Sequence, residues 1–114
     1  MRQNVHKMKS VPEKDWKHLR RLTPVALDRF CEKVLREVVD IVSASGSTPH
    51  QRYKNLYRFI DEKDDDVARA FNDHRRSTAL AKIMHIHKLG LFTEEEFAGF
   101  SEQTRKVVLE VVQL

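Results

Sequence analysis

The longest run of apolar positions at helical spacing lies in the second quarter of the chain. Thr23 and Pro24 provide a cap followed by proline at a first helical position, and residues 45–47 interrupt the pattern with Ser-Gly-Ser. The pattern therefore predicts a helix over residues 24–44, with Cys31 packed in the interior as part of its apolar stripe. That stripe consists of Leu27, Phe30, Cys31, Val34, Leu35, Val38, Ile41 and Val42.

Two further helices are predicted on either side of this one. Pro12 suits the first turn of a short helix over residues 13–22. Thr48, Pro49 and Gln51 have the spacing of a capping box and begin a helix that is expected to end near residue 63. The predicted buried face of this second helix consists of Tyr53, Leu56, Tyr57 and Ile60.

The last third of the chain alternates apolar stripes with start and stop signals. The aspartates at residues 64–66 can cap a short helix, and a further helix is expected to end at Gly90, which is free to take a positive φ. Thr93 and Glu96 have the spacing of a second capping box, and Ser101 is one more cap candidate. These signals predict an all-α fold, a compact bundle of five to seven helices.

Size and composition agree with one small helical domain. The chain has 114 residues, of which 33% are charged, and only three glycines and three prolines. We expect a flexible basic arm over residues 1–10 and a single helical domain over residues 11–114. No apolar run is long enough for a membrane span, no secretory signal is recognisable, and one cysteine cannot form an internal disulfide. The expected location is the cytoplasm, with no membrane partner.

The positive net charge of +4 is confined to the start of the chain. Residues 1–22 hold seven basic and two acidic side chains, whereas the other 92 residues hold 14 basic and 15 acidic ones. A basic helix that also carries Trp16 is typical of polyanion binders, so nucleic-acid or polyanion binding is an alternative function. The residues that would carry it are Lys14, Lys17, Arg20 and Arg21.

Residues 80–109 have a recognisable pattern, in which an apolar helix is followed by Gly-Leu-Phe-Thr-Glu-Glu-Glu-Phe over residues 90–97. This pattern resembles the short C-terminal oligomerisation module called SHOCT. Phe92 stands where that family has an aliphatic residue, and Phe100-Ser101 interrupts the second helix. The resemblance implies self-association or docking of a partner. The rest of the chain looks like a small bacterial helical protein.

One polar run combines cations and a hydroxyl at a predicted helix start, where free N–H groups favour anions. It consists of His74, Arg75, Arg76 and Ser77, which are the candidate residues for binding an anion or a protein partner. The alternative is that the two arginines pair locally with Asp65, Asp66 or Asp73.

Metal, cofactor and catalytic motifs are not recognisable. His85 and His87 are two residues apart, so on a helix they point away from each other, and the acidic residues 61–66 lack the glycine and the alternation of a calcium loop. No metal and no cofactor are therefore expected. An enzyme would need a cleft that brings His74 or His50 to a tyrosine or an aspartate, and we expect no enzymatic activity.

The apolar end of the chain is the predicted self-association surface. Five large apolar side chains in eight positions must pack either on the domain itself or on a second chain: Val107, Val108, Val111, Val112 and Leu114. The function that the sequence favours is a non-enzymatic helical protein–protein interaction or regulatory module that forms a homodimer. Partner and ligand identities do not follow from these patterns.

Overall fold

The computed structural model describes residues 10–113, with side chains as far as Val111. This part of the chain contains five α-helices and no β-strand, which confirms the predicted all-α fold. The predicted arm of residues 1–10 lies outside the described residues except for Ser10. The helices are α1 (Glu13–Val42), α2 (Pro49–Phe71), α3 (Ala79–Lys88), α4 (Glu94–Ala98) and α5 (Glu102–Gln113), with a 3-10 turn at Arg76–Thr78 before α3.

Helix α1 runs unbroken for 30 residues through Pro24, so the predicted division into two helices is wrong. Thr23 does not cap a new helix. Its hydroxyl donates a hydrogen bond of 2.7 Å to the carbonyl of Leu19 within the same helix. Pro24 has no N–H to donate, but the local cost of that loss is offset because both halves of the helix bury side chains in one core. The buried apolar residues of α1 are Leu19, Leu22, Ala26 and Phe30.

Helix α2 begins as predicted and ends later than predicted. The Thr48 hydroxyl accepts from the N–H of Gln51 at 3.1 Å, and the Gln51 side chain accepts from the N–H of Thr48 at 2.9 Å. The helix then continues through the aspartates at residues 64–66, which were expected to cap a new one. Asp66 lies near Lys63 and Arg69, three residues away on either side, so a basic neighbour on each side accommodates this carboxylate inside the helix.

The predicted stop and start signals after α3 are confirmed. Gly90 has φ +72. Its N–H donates to the carbonyl of His87, and the N–H of Leu91 donates to that of Ile86, as in a Schellman motif. Helix α4 then begins at the predicted capping box of Thr93 and Glu96.

The core lies at one end of the molecule, where the first half of α1 meets the end of α2 and the three short helices. Between Phe30 and Ala70 no residue is fully buried. The second half of α1 and the first half of α2 therefore form an antiparallel hairpin that extends away from the core. The molecule measures 52 × 26 × 24 Å as a result. The apolar core consists of Val11, Leu19, Leu22, Ala26, Phe30, Ala70, Ala79, Ile83, Ile86, Leu91, Phe100, Val107 and Val108.

Two polar contacts fix α1 to the C-terminal helices. The carboxylate of Asp15, fully buried, accepts from the N–H of Ser101 at 2.7 Å and from the hydroxyls of Ser101 and Thr104 at 2.6 Å. Arg29 donates to both carboxylate oxygens of Glu96, at 2.6 and 3.0 Å. Both contacts join residues far apart in the sequence, so they set how α4 and α5 lie on α1.

None of the helices in the described part of the chain has both the length and the apolar character that a membrane span requires.

Candidate interaction surface

The apolar stripe of α1 is wider than its partner helix covers. Within residues 31–42 the apolar positions, counting Val39 as well as the predicted stripe, span roughly 160° around the helix at 100° per residue, with Ile41 at one edge of the arc and Val39 at the other. Only part of this arc contacts α2, and those side chains are half-buried. The rest faces solvent: Leu35 is 60% exposed, Val39 60% and Val42 41%.

Helix α2 repeats this arrangement. Leu56 and Phe59 are half-buried in the hairpin. Tyr53 is 69% exposed, Tyr57 70% and Ile60 38%. The prediction that the two tyrosines belong to a buried face is therefore wrong, because among residues 10–113 no third helix packs on this part of α2.

The two exposed stripes lie on the same side of the hairpin. The residues of α1 that face α2 and the exposed residues of α1 are separated by about 100° around the helix axis. The same separation, in the same rotational sense from N- to C-terminus, holds for α2. Since the helices are antiparallel, equal displacements bring both stripes to one side. Arg52 donates to the carbonyl of Val42 at the tip, and Phe30 lies beside Phe71 at the base, which fixes the register. We call this surface the hairpin face; it consists of Leu35, Val39, Val42, Tyr53, Tyr57 and Ile60.

The rim of the hairpin face is charged. Tyr53 and Tyr57 line an open groove of about 450 Å³ together with Lys54, Arg58 and Asp61. Tyrosine combines a large apolar ring with a hydroxyl that tolerates water, and it is enriched at protein interfaces. The two tyrosines alone leave on the order of 250 Å² in contact with solvent, taking about 200 Å² for a full aromatic side chain. An apolar patch with a charged rim is typical of a protein-binding surface.

Cys31 lies one helical turn before Leu35 and is exposed. The prediction that it packs in the interior is wrong. It lies in the part of α1 that forms the hairpin, beyond the end of the core at Phe30.

The predicted anion- or partner-binding run does not converge on one site. His74 lies 3.1 Å from the hydroxyl of Thr23, with its ring near Trp16. Arg75 pairs with Asp73 at 2.8 Å, as the alternative of local pairing predicted. Asp66, another aspartate considered in that alternative, pairs with Arg69 instead. The remaining members diverge as well: Arg76 donates to the carbonyl of Val11, and Ser77 is exposed in the 3-10 turn.

The surroundings of three histidines lower their pKa values. Burial lowers the pKa of His74, with a smaller effect from the nearby charges of Lys82 and Arg20. Burial likewise lowers the pKa of His85 and of His87, which stacks on Phe97. His74 contacts Thr23 and Trp16 of α1. His50 lies on the same helix as both tyrosines and is exposed.

The basic residues predicted to bind a polyanion lie together on the first turns of α1. Lys14, Lys17, Arg20 and Arg21 are all exposed. Arg20 lies over the ring of Trp16, and Arg21 donates to His18 at 3.4 Å. An open groove of about 360 Å³ is lined by Lys17, Arg20 and Arg21.

Two residues of the predicted self-association surface at the C-terminus are internal. Val107 is 1% exposed and Val108 0%, because α5 packs them against the core of the same chain. These two valines therefore pack on their own domain and are not available to a second copy. Val111 is half-buried, while the side chains of Val112 and Leu114 lie outside the described residues.

No group of three or more histidine, cysteine, aspartate or glutamate side chains in residues 10–111 is arranged to hold a metal ion.

The hairpin face is the feature that sequence reasoning missed. The signal that could have found it is Val39, which widens the apolar arc of residues 31–42 to roughly 160°, more than one neighbouring helix covers.

No family model, no curated protein and no solved structure matches this chain, so the function has to be inferred from its own surfaces.

Proposed function

We propose that this protein is a non-enzymatic helical interaction module that self-associates through the hairpin face. The observation that carries the proposal is the continuous exposure of six large apolar side chains on one side of the hairpin. In a monomer these side chains face water, and their removal from water is the main favourable term in association.

The size of the hairpin face suits a second copy. The exposed stripe extends about 10 Å along each helix, at 1.5 Å per residue, and spans two helices packed about 10 Å apart. At the exposed fractions given above, the six side chains leave on the order of 500 Å² in water, so the charged rim has to supply the remainder of the roughly 800 Å² per partner that a standard interface buries. Docking of two hairpins gives a four-helix bundle, which is a common way to cover such stripes.

The resemblance of residues 80–109 to an oligomerisation module stays a prediction. In this proposal that segment completes the core, and the hairpin makes the contact between copies. A reducing compartment suits the exposed thiol of Cys31, which oxidants would otherwise reach.

Sedimentation velocity of two matched variants tests the proposal. Val39→Glu places a charge in the middle of the hairpin face, whereas Val25→Glu makes the same change at another exposed valine of α1 outside the hairpin. We expect the wild type and Val25→Glu to sediment as dimers, and Val39→Glu to sediment as a monomer. A wild-type monomer at every concentration contradicts the proposal, and so does a Val39→Glu variant that remains dimeric.

A second candidate function, polyanion binding, has its own observation. Lys14, Lys17, Arg20 and Arg21 form an exposed basic surface in which the one ion pair among the described residues, Lys17 with Glu13, is long at 3.9 Å. Binding of a fluorescent single-stranded oligonucleotide tests this function. The affinity should fall steeply with salt, and the double variant Lys17→Glu, Arg21→Glu should abolish binding without changing the sedimentation of the dimer. Binding that is insensitive to both changes rules it out.

A further inference from the structure

We propose that the two copies meet about a two-fold axis beside Tyr57, with their α2 helices antiparallel and Lys54 of each copy against Asp61 of the other. This inference rests on the proposed function, since it specifies how the second copy sits on the hairpin face. It adds the orientation, the charged contacts and the symmetry of the interface.

The first support is the separation of charge along α2. Its first half carries His50, Arg52, Lys54 and Arg58 and no acidic residue. Its second half carries five acidic residues and only two basic ones. This order opposes the helix dipole, which favours acidic residues at the start of a helix and basic residues at its end. The separation therefore has no benefit for an isolated α2, whereas an antiparallel copy places each basic half against an acidic half.

The second support is that these charges have few partners within the chain. Asp66 has Lys63 and Arg69 nearby, and Arg52 donates to a backbone carbonyl. Among the described residues, Lys54 and Asp61 form no ion pair, although both line the groove beside the tyrosines. They are therefore free to contact a second chain.

The third support is their position relative to the apolar seam. Tyr53, Tyr57 and Ile60 recur at spacings of four and three, as the buried positions of paired helices do. Lys54 and Asp61 are seven residues apart, so they lie on the same flank of that seam. Flanking charges of this kind select the partner and its orientation in paired helices. Because Tyr57 lies near the midpoint between Lys54 and Asp61, a two-fold axis beside it forms the same contact twice.

The same axis also covers the stripe of α1. Val39 lies about level with Tyr57 in the hairpin, so it lies close to the axis, with Leu35 and Val42 on either side. The two α1 stripes then face each other and close a four-helix bundle. The apolar and charged parts of the surface thus agree on one arrangement.

Charge reversal tests this arrangement by a property that only a two-fold contact has. In Lys54→Asp homodimers aspartate meets Asp61 twice, and in Asp61→Lys homodimers lysine meets Lys54 twice, so at low salt each variant alone should dimerise about tenfold or more weakly. An equimolar mixture of the two restores opposite charges at both contacts, and its light-scattering mass should return to that of the wild-type dimer. Lys106→Asp, a reversal at an exposed lysine of α5, is the control and should dimerise like the wild type.

Each outcome has one meaning. Variants that dimerise as tightly as the wild type overturn the arrangement, and so do weakened variants whose mixture stays monomeric. If in either case the wild type is dimeric and Val39→Glu still dissociates, the hairpin face survives as the interface and only the two-fold pairing of α2 is wrong. A wild type that is monomeric at every concentration overturns the proposed function and this inference together.

Discussion

At the scale of single residues, Asp15 is the polar group on which the fold depends most. It is fully buried, and its two oxygens accept from three donors at the start of α5. Hydrogen bonds to a buried charge contribute more than neutral ones, and a donor left without its partner has to bear its desolvation cost. The residue therefore fixes the position of α5 and with it the valines of the core.

Asp15→Asn should destabilise the protein by about 2 kcal/mol. The amide keeps one acceptor oxygen, but its NH2 group faces the Ser101 and Thr104 hydroxyls where a second acceptor is needed. The midpoint of urea unfolding measures this loss. Glu13→Gln, an exposed neighbour whose contact with Lys17 is 3.9 Å long, should stay within about 0.5 kcal/mol of the wild type. Equal midpoints for Asp15→Asn and the wild type would contradict the assigned role.

Glu96 makes stability dependent on pH in the acid range. The hydrogen bonds from Arg29 hold the pKa of Glu96 below its usual value of 4.5, with smaller contributions from Thr93 and the arginine charge against the opposing effect of burial. A lowered pKa in the folded state means that the contribution is complete above pH 4.5 and is lost as the pH falls toward the folded value. Glu96→Gln should therefore lose stability at pH 7 and depend less on pH between 5 and 3. Glu95→Gln, its exposed neighbour, should keep the wild-type dependence, and identical pH profiles for both variants would refute the pairing.

At the scale of helices, the sequence predicts caps and stops that depend on neighbouring residues, but it does not predict which of the possible helix starts the fold uses. The capping boxes at Thr48 and Thr93 and the stop at Gly90 involve residues three to five apart, so the sequence contains everything that determines them. The apparent start at Pro24 is overridden because packing on distant helices outweighs a local preference of about 3 kcal/mol. The apparent start at residues 64–66 is overridden within α2 itself, where Lys63 and Arg69 accommodate Asp66.

Gly90→Ala should destabilise the protein by about 1 kcal/mol. The φ of +72 strains any residue with a Cβ, while no other atom lies within 4 Å of the position that this Cβ would take. The cost is therefore backbone strain alone. Gly90→Asn should lose less, since asparagine tolerates this conformation, and thermal unfolding of the two variants compares them. A larger loss for asparagine than for alanine would mean that steric contact governs this turn.

At the scale of the whole molecule, the buried core lies at one end and stabilises the fold, whereas the exposed hairpin at the other end carries the proposed association surface. The sequence showed the apolar stripes of both hairpin helices, but it could not show which part of each stripe stays uncovered. That depends on how many helices pack around the hairpin, and α3 to α5 pack at the other end. For the same reason the sequence could not show that Val107 and Val108 pack in the core of their own chain.

Small-angle X-ray scattering of the wild type over a concentration series shows whether two copies associate through the hairpin face, because it measures mass and shape together. We expect a mass of twice the 13.4 kDa of one chain and a radius of gyration above the 16.9 Å of the single molecule, both persisting at high salt since the interface is mainly apolar. A mass of 13.4 kDa at every concentration would show that the hairpin face stays in water and that the protein does not self-associate.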